Sequence, residues 1–328
     1  MIELLAQRAF VDQVGKRYRR RAVDDPEPVE PVGGWRKSVL RVERALIKMV
    51  EIPAALLVLA EVVVLFVGVV MRYFVHSPIV WSDELASVLF IWLAMLGSVV
   101  ALQRGEHMRM TALVGALPLP KRAVLETLAV AAPLIFLGAM FHPSLEYAED
   151  EMFVTLPALD VPNTWKAAAL PVGMALMGIV AMLKLARNAN PMQVAGVIAF
   201  LAALTAVGIL GTPFLKTLGN INLVIFFVGL VAAGVFAGVP IAFSFGLATL
   251  AYLSFTTNAP LTVVVGRMDE GMSHLILLSV PLFVFLGMLI EMTGMARAMV
   301  GFLASLLGHV RGGLSYVLLG AMYLVSGI

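Results

Sequence analysis

The sequence predicts an all-α integral membrane protein. Of its 328 residues, 61% are hydrophobic and 13% are charged, whereas soluble domains are about 45–50% apolar and about 25% charged. The apolar residues form continuous runs instead of alternating with polar ones, which favours membrane helices over strands. This composition excludes a water-soluble enzyme, a nucleic-acid-binding module and a disordered scaffold. The absence of Cys excludes disulfides, thiol catalysis and Cys-ligated metal centres.

Residues 1–34 are predicted to form a basic cytoplasmic tail and linker. The first 50 residues contain 11 Lys or Arg and 7 Asp or Glu, and no early apolar run of the signal-peptide type precedes residue 52. Three Pro and a Gly pair between Asp24 and Gly34 indicate a flexible linker. Residues 35–50 are expected to form an interfacial helix that leads into the first span, and a solvated basic tail is the alternative.

The apolar runs predict about nine transmembrane helices, because a bilayer core about 30 Å thick needs about 20 apolar residues per helix. From Thr217 to Gly266, 50 consecutive residues carry no charge, which is too many for one crossing. Gly238 and Pro240 divide this stretch into two helices, since Pro cannot continue the helical hydrogen bonds. The predicted spans are residues 53–71, 85–103, 125–144, 166–184, 192–211, 220–238, 240–257, 274–293 and 313–328.

The distribution of Lys and Arg between the loops predicts that the N-terminus lies in the cytoplasm. The tail is basic, whereas residues 142–165 carry five acidic residues and no Lys or Arg, as expected of an external loop. The loop after the second span should be cytoplasmic because it carries Arg104, Arg109, Lys121 and Arg122.

Span parity and composition divide the membrane part into three regions. Residues 35–187 form a four-helix module with both ends in the cytoplasm. Residues 188–219 add a single joining helix, so the region that follows begins outside. Residues 220–328 are richer in Gly, and Gly234 and Gly238 have a small-xxx-small spacing that permits close helix contact.

No motif for enzymatic chemistry occurs in the sequence. It lacks a phosphate-binding loop, a dinucleotide fingerprint, a His-Glu-x-x-His motif and a Gly-x-Ser-x-Gly motif. Each of the five His residues lies near the end of a predicted span, where an interfacial role is more common than metal binding. We therefore expect no catalytic residues, no bound cofactor and no nucleic-acid partner.

Glu61 lies near the middle of the first predicted span, where an ionisable group is costly and usually faces a partner. A hydrogen bond or ion pair with another helix is the favoured interpretation. An ion or proton pathway is the second, and a misplaced span boundary is the third.

The start of the second span carries a Trp-Ser-Asp-Glu sequence. Ser82 is expected to cap the helix, Asp83 and Glu84 to favour its positive end, and Trp81 to anchor at the headgroup level. Arg72 ends the first span within reach of these acids. An Arg72–carboxylate bridge is therefore predicted to close the first hairpin.

The final apolar run contains Ser326 and Gly327. Secondary transporters bind substrate and ions where membrane helices break, because backbone groups are free only there. A hydroxyl beside a flexible Gly is typical of such a break. These two residues are the candidate ion- or substrate-binding positions.

Ordered motifs connect both halves of the chain to one family. The first set is Arg72-Tyr73-Phe74, Trp81-x-Asp83-Glu84-Leu85, Gly97, Arg104-Gly105-x-His107, Pro162-x-x-Trp165 and Leu170-Pro171-Val172-Gly173. The second set is Gly238-Val239-Pro240-Ile241-Ala242, Ser279-Val280-Pro281-Leu282-Phe283 with Gly287, and Arg311-Gly312-Gly313-Leu314. The first set resembles the small four-helix subunit of TRAP (tripartite ATP-independent periplasmic) transporters, and the second set resembles their large subunit. The resemblance covers residues 40–328.

This resemblance implies a fused small and large subunit in the bacterial inner membrane, with residues 192–211 as the joining helix. It also implies sodium-coupled import of an organic acid, such as a C4-dicarboxylate, delivered by a periplasmic substrate-binding protein. The large subunit is then the N-terminal part of an elevator-type transporter fold, braced by the small one. Structural roles are expected for Arg72, Trp81, Asp83, Glu84, Glu61, His107, Pro240, Pro281, Gly312 and Gly313.

In the family, Ser-Gly-Ser-like hairpin tips help to form the sodium and substrate sites, but here Ile328 follows Ser326 and Gly327. A complete large subunit has several more helices, so we expect a C-terminally truncated fusion. The main alternative function is a non-transporting membrane scaffold or assembly subunit. An intramembrane enzyme is a distant third, because no nucleophile–base pair is recognisable.

Overall fold

The computed structural model describes residues 34–188, 190–307 and 312–326, and these residues are almost entirely α-helical. The predicted all-α architecture is therefore confirmed. Contacts divide the chain into two units, Met1–Arg44 and Ala45–Ile328. The contacts described below lie within the second unit.

The first part of the fold contains six helices and one antiparallel hairpin within the described residues. The helices are α1 (Gly34–Tyr73), α2 (Ser82–Arg104), α3 (Ala112–Gly115), α4 (Leu119–Asp150), α5 (Thr164–Ala167) and α6 (Ala169–Asn188). The strands β1 (Thr155–Leu156) and β2 (Val161–Pro162) pair with Thr155 opposite Pro162, between α4 and α5.

The second part continues with helices of very different length. They are α7 (Pro191–Thr217), α8 (Ile221–Phe236), α9 (Ile241–Thr256), α10 (Thr262–Met272), α11 (Leu275–Met292), α12 (Met295–Leu307) and α13 (Gly313–Ser326). A π-helical segment, Val224–Leu230, occupies the middle of α8.

Among the described residues, six helices are long and apolar enough to cross a membrane. They coincide with six of the predicted spans. Their bounds by length and composition are Val39–Tyr73, Ser82–Arg104, Leu119–Phe153, Thr164–Arg187, Pro191–Thr217 and Leu275–Met292.

The other three predicted spans, 220–238, 240–257 and 313–328, coincide with shorter helices in the described residues and stay predictions as full crossings. The described helices α8, α9 and α13 contain 16, 16 and 14 residues, fewer than the about 20 that a crossing needs. Glycines with positive φ limit them, with φ of 53° at Gly219, 84° at Gly238 and 80° at Gly312. The predicted break at Gly238–Pro240 is confirmed, because α8 ends before it and α9 begins after it.

The predicted interfacial segment 35–50 is not a separate helix, because it continues through Pro53 into the first span as α1. Val50 lies in the main core. The neighbouring Glu51 accepts a hydrogen bond from Arg104 at the end of α2, with 2.7 Å between Oε1 and Nη2. Contact with α2 therefore begins before the predicted span does.

The main core lies where α2 and α4 pack against α6. Ile91 and Met140 are fully buried there, as is Leu170. A Cβ added to Gly173 would lie 2.6 Å from the Met95 side chain, so α2 and α6 approach closely at this glycine. Val239, Phe243 and Val265 belong to the same core, so α9 and α10 pack directly on the four-helix module.

Helices α11–α13 extend from this core in sequence order. The first turn of α11 packs on α2, whereas the rest of α11 contacts α12, and α12 contacts α13. Large apolar side chains such as Phe283, Met288 and Phe302 are exposed here. An apolar outer surface of this kind suits contact with lipid.

Candidate functional site

The end of α1 and the start of α2 are joined by an ion pair. Nη2 of Arg72 lies 3.1 Å from Oδ2 of Asp83, and each side chain is about half exposed, at 50% and 52%. One turn before Arg72, a Cβ on Gly68 would lie 3.3 Å from Oγ of Ser82, so α1 and α2 approach closely here. The geometry is that of the predicted hairpin bridge in a solvent-accessible position.

Ser82 does not cap α2, contrary to the prediction. Its hydroxyl donates to the carbonyl oxygen of Ile79 at 2.8 Å, so it stabilises the preceding loop. The N-cap position is held by Trp81, whose side chain makes no capping hydrogen bond. The Trp81 side chain is exposed, as an anchor at a membrane surface requires.

Glu84 connects α2 to the β1–β2 hairpin. Its Oε2 accepts hydrogen bonds from the backbone N–H groups of Ala158 and Leu159, at 2.9 and 3.0 Å. The adjacent Asp160 has a φ of 54°, which closes the hairpin turn. The sequence indicated only a helix-start role for Glu84, because the hairpin lies more than 70 residues away in the chain.

Glu61 is fully buried, and neither carboxylate oxygen has a hydrogen-bond partner among the described residues. The favoured prediction, a hydrogen bond or ion pair from another helix, is therefore not met within the described part of the chain. The proposed ion or proton pathway stays a prediction.

His107 packs against α9. Its ring meets the edge of Phe243, with centroids 5.5 Å apart and an interplanar angle of 78°. Burial lowers the pKa of His107 below its ordinary value of 6.5, and the nearby positive charge of Lys184 lowers it further. Its Nε2 has no partner in the described residues. His107 is therefore suited to a neutral packing role.

The loop that contains His107 meets the turn between α8 and α9, and we call this contact the glycine junction (residues 107–114 with 237–243). The backbone N–H of Ile241 donates to the carbonyl oxygen of Met108 at 3.0 Å. A Cβ on Gly238 would lie 2.9 Å from Cγ2 of Val114. Beside it is a cavity of about 60 Å³, to which Arg109 and Arg122 contribute. Close fit therefore dominates this contact.

A second contact, the charged junction (Tyr147, Lys166 and Asp269), joins α10 to α4 and α5. Nζ of Lys166 lies 3.1 Å from Oδ2 of Asp269, and the two side chains are only 12% and 7% exposed. The hydroxyl of Tyr147 donates to the same Oδ2 at 3.1 Å. Oδ1 of Asp269 has no partner in the described residues. These three residues form a buried ionic cluster between distant segments.

Sequence reasoning missed the charged junction. Asp269 lies between the charged residues Arg267 and Glu270, and such a group usually indicates a solvated helix face. The spacing along the helix could have indicated the burial of Asp269. Asp269 follows the apolar Val265 by four residues and therefore lies on the same helix face, and Val265 is fully buried.

The two junctions lie at opposite ends of α4. Arg122 lies beside the glycine junction, and Tyr147 belongs to the charged junction. Tyr147 follows Arg122 by 25 positions, which corresponds to about 38 Å at 1.5 Å per residue. The α8–α10 segment is thus attached to the four-helix module at both ends.

The candidate sodium- or substrate-binding residues lie only partly within the described part of the chain. Gly327 lies outside the described residues, and Ser326 is the last residue of α13, whose side chain is also outside them. Gly313 starts α13 after Gly312, and Pro281 is buried in the first turn of Val280–Met292, the longer part of α11. In the described ranges, no group of three or more His, Asp or Glu could hold a metal. The sodium position stays a prediction.

Comparison with known families gives a match in each half of the chain. Residues 61–190 match the family described as "Tripartite ATP-independent periplasmic transporters, DctQ component". Residues 223–328 match "Tripartite ATP-independent periplasmic transporter, DctM component". The four-helix module and the α8–α13 region therefore correspond to different components of one transporter type.

Individual relatives give the same picture. The chain is 30% identical over 102 residues (31% of the chain, 59% of the relative) to the sialic acid TRAP transporter small permease protein SiaQ of Vibrio cholerae. It is 27% identical over 243 residues (71% of the chain, 39% of the relative) to the sialic acid TRAP transporter permease protein SiaT of Haemophilus influenzae. It is 24% identical over 220 residues (66% of the chain, 34% of the relative) to the isethionate TRAP transporter permease protein DctMQ of Oleidesulfovibrio alaskensis. The chain thus spans less than two thirds of each of these relatives.

Proposed function

Because this chain belongs to the tripartite ATP-independent periplasmic transporters and joins small- and large-component segments in one polypeptide, we propose that it is the membrane permease that couples organic-acid import to sodium entry. The family consists of transporter permeases, not enzymes. The six long apolar helices of this chain, together with its family, make it a multi-pass protein of the bacterial inner membrane. The proposal adds the coupling ion, the class of substrate and the direction of transport.

The observation that carries this proposal is the shared core of the two components. Val239, Phe243 and Val265, from the large-component segment, pack in the same core as Met140 and Leu170 of the small-component segment. A small component that only anchored the chain to the membrane would not need this contact. The arrangement supports a single working unit in which the four-helix module braces α8–α10.

The proposed orientation places the N-terminus in the cytoplasm. The glycine junction then faces the cytoplasm, because its loop carries Arg109, and the charged junction faces the periplasm. The acidic segment 142–165 accordingly lies on the side from which a periplasmic substrate-binding protein delivers its ligand. This partner is part of the proposal.

Sodium coupling and elevator-type movement are proposed for the large component. A broken membrane helix frees backbone carbonyls that can coordinate sodium. We expect the break at Ser326 and Gly327 to supply part of such a site. Helix α11 carries another interruption, where its first turn ends at Leu278 and the helix resumes at Val280.

Transport by the full-length protein in proteoliposomes tests the proposal. With its binding protein outside, uptake of sialic acid, isethionate and C4-dicarboxylates is measured under an inward sodium gradient and under an equal potassium gradient. Accumulation of one acid in sodium only is the expected result. Uptake that is indifferent to sodium would defeat the coupling, and no uptake of any acid by folded protein would favour the scaffold alternative.

A further inference from the structure

We propose that Lys166 and Asp269, assisted by Tyr147, form a register lock that selects one docking position of α10 on the four-helix module. The inference concerns how the two components are held together. It does not depend on the substrate or on the coupling ion.

Apart from the charged junction, the described contact between α10 and the four-helix module is apolar, and apolar packing alone does not define the position of α10. Helix α10 packs through the apolar residues Val264, Val265, Met268 and Met272. Apolar contact is non-directional, and a helix with such a face gains similar burial after sliding by one turn. A buried ion pair is lost by the same slide, because the two charges separate in a poorly solvated region. The pair therefore distinguishes the observed register from its neighbours.

Lys166 is well suited to act as the fixed half of the lock. It lies on α5, whose start is tied to the end of α4 by two hydrogen bonds. Nδ2 of Asn163 donates to Oε2 of Glu151 at 2.5 Å, and Oγ1 of Thr164 donates to the carbonyl oxygen of Ala148 at 2.7 Å. The backbone that carries Lys166 is thus held by contacts that do not involve α10.

The same helix provides a matched control. Arg267 and Glu270 also form an ion pair on α10, but their side chains are 75% and 68% exposed. An exposed pair contributes little, because water solvates both charges when they separate. Removal of this pair takes one positive and one negative charge from α10, so its net charge is unchanged and the lock is not disturbed.

The experiment uses the absence of Cys between residues 1 and 328. Val265→Cys places a single thiol at a fully buried position of α10, four residues from Asp269. A small maleimide labels this thiol in the detergent-solubilised chain of residues 1–328. The labelling rate measures how often α10 separates from the four-helix module. The variants are Lys166→Met, Asp269→Asn, both together, and Arg267→Gln with Glu270→Gln.

Each single substitution should accelerate labelling by at least about tenfold, because it leaves one buried charge without its partner. The double variant should label more slowly than the product of the two single effects predicts, since both charges are then absent. The exposed control pair should leave the rate unchanged. This pattern would support the lock.

Two results would overturn the proposed lock. One is an unchanged labelling rate in both single variants. The other is a double variant whose effect equals the product of the single effects. If a single variant does not elute as folded protein, Tyr147→Phe replaces it with an expected acceleration of several-fold, and no acceleration counts against the lock. Labelling requires neither substrate nor sodium, so a failed transport assay leaves this result interpretable.

Discussion

The charged junction and the glycine junction attach the same segment to the same module by different physics. At the charged junction a buried ammonium, a carboxylate and a phenol interact at 3.1 Å. At the glycine junction the backbone approaches so closely that a Cβ on Gly238 would overlap Val114. A buried charge pair is costly when half of it is lost, whereas a close approach at a glycine is disrupted when atoms are added to that glycine. The two ends should therefore respond to opposite kinds of substitution.

Asp269→Ala should have the largest effect. It leaves Lys166 buried without a counter-charge, which costs about 3–5 kcal/mol for a buried pair. Thermal unfolding of the purified protein in detergent measures the loss. Glu270→Ala on the same helix is the control, and an equal loss there would contradict the importance of burial.

Gly238→Val should come next, at about 2–4 kcal/mol, because it combines strain with overlap. Its φ of 84° disfavours a β-branched residue, and the new side chain must displace Val114. Gly219→Val separates the two causes, since Gly219 has a φ of 53° but no neighbour within 4 Å of its Cβ position. The control should lose only about 1–2 kcal/mol, and equal losses would show that overlap contributes nothing.

Glu61→Leu should stabilise the protein by about 1–3 kcal/mol, opposite in sign to the Asp269 substitution. Both acids are buried, but Glu61 lacks a partner among the described residues and Asp269 has two. Thermal unfolding again provides the measurement. A loss of stability would indicate that Glu61 has a partner that the described residues do not include.

The glycine junction should weaken in acid through His107. Because its pKa lies below the ordinary value of 6.5, the unfolded chain binds this proton first as the pH falls. Stability contributed by the neutral ring should therefore be present above pH 6.5 and decline as the pH falls below it towards the folded-state pKa. His107→Gln should flatten the stability profile in this window. A slope that is the same in both proteins would contradict the assignment.

Arg72→Ala should have the smallest effect, about 0.2–1 kcal/mol, because the Arg72–Asp83 pair is half exposed. The yield of folded protein should fall slightly, while uptake per folded molecule stays constant. Normal folding with lost uptake would show that Arg72 does more than hold the first hairpin.

The sequence predicted those features that depend on local chemistry. The apolar runs predicted the helical membrane fold, and Gly238 with Pro240 predicted the break between α8 and α9. Helix lengths were less predictable, because α8 and α9 stop after 16 residues although apolar residues continue on both sides. The ends are set by backbone turns, not by hydrophobicity.

The charged junction could not be predicted from local pattern. Lys166 and Asp269 are about a hundred residues apart; Lys166 stands at the start of a predicted span, and the charged neighbours of Asp269 suggest an ordinary surface position. Only the packing of α10 on α4 and α5 turns them into a buried pair. The same holds for Glu84, whose partner hairpin is distant in sequence.

The contact between Glu84 and the β1–β2 hairpin has a consequence for how freely this loop can change. Glu84 binds two backbone N–H groups, those of Ala158 and Leu159, and therefore recognises the path of the chain and not its side chains. Any sequence that keeps this path, with a residue such as Asp, Asn or Gly at the left-handed position of Asp160, satisfies the same carboxylate. The side chains at the tip of the hairpin are thus left open to substitution while its attachment to α2 stays intact.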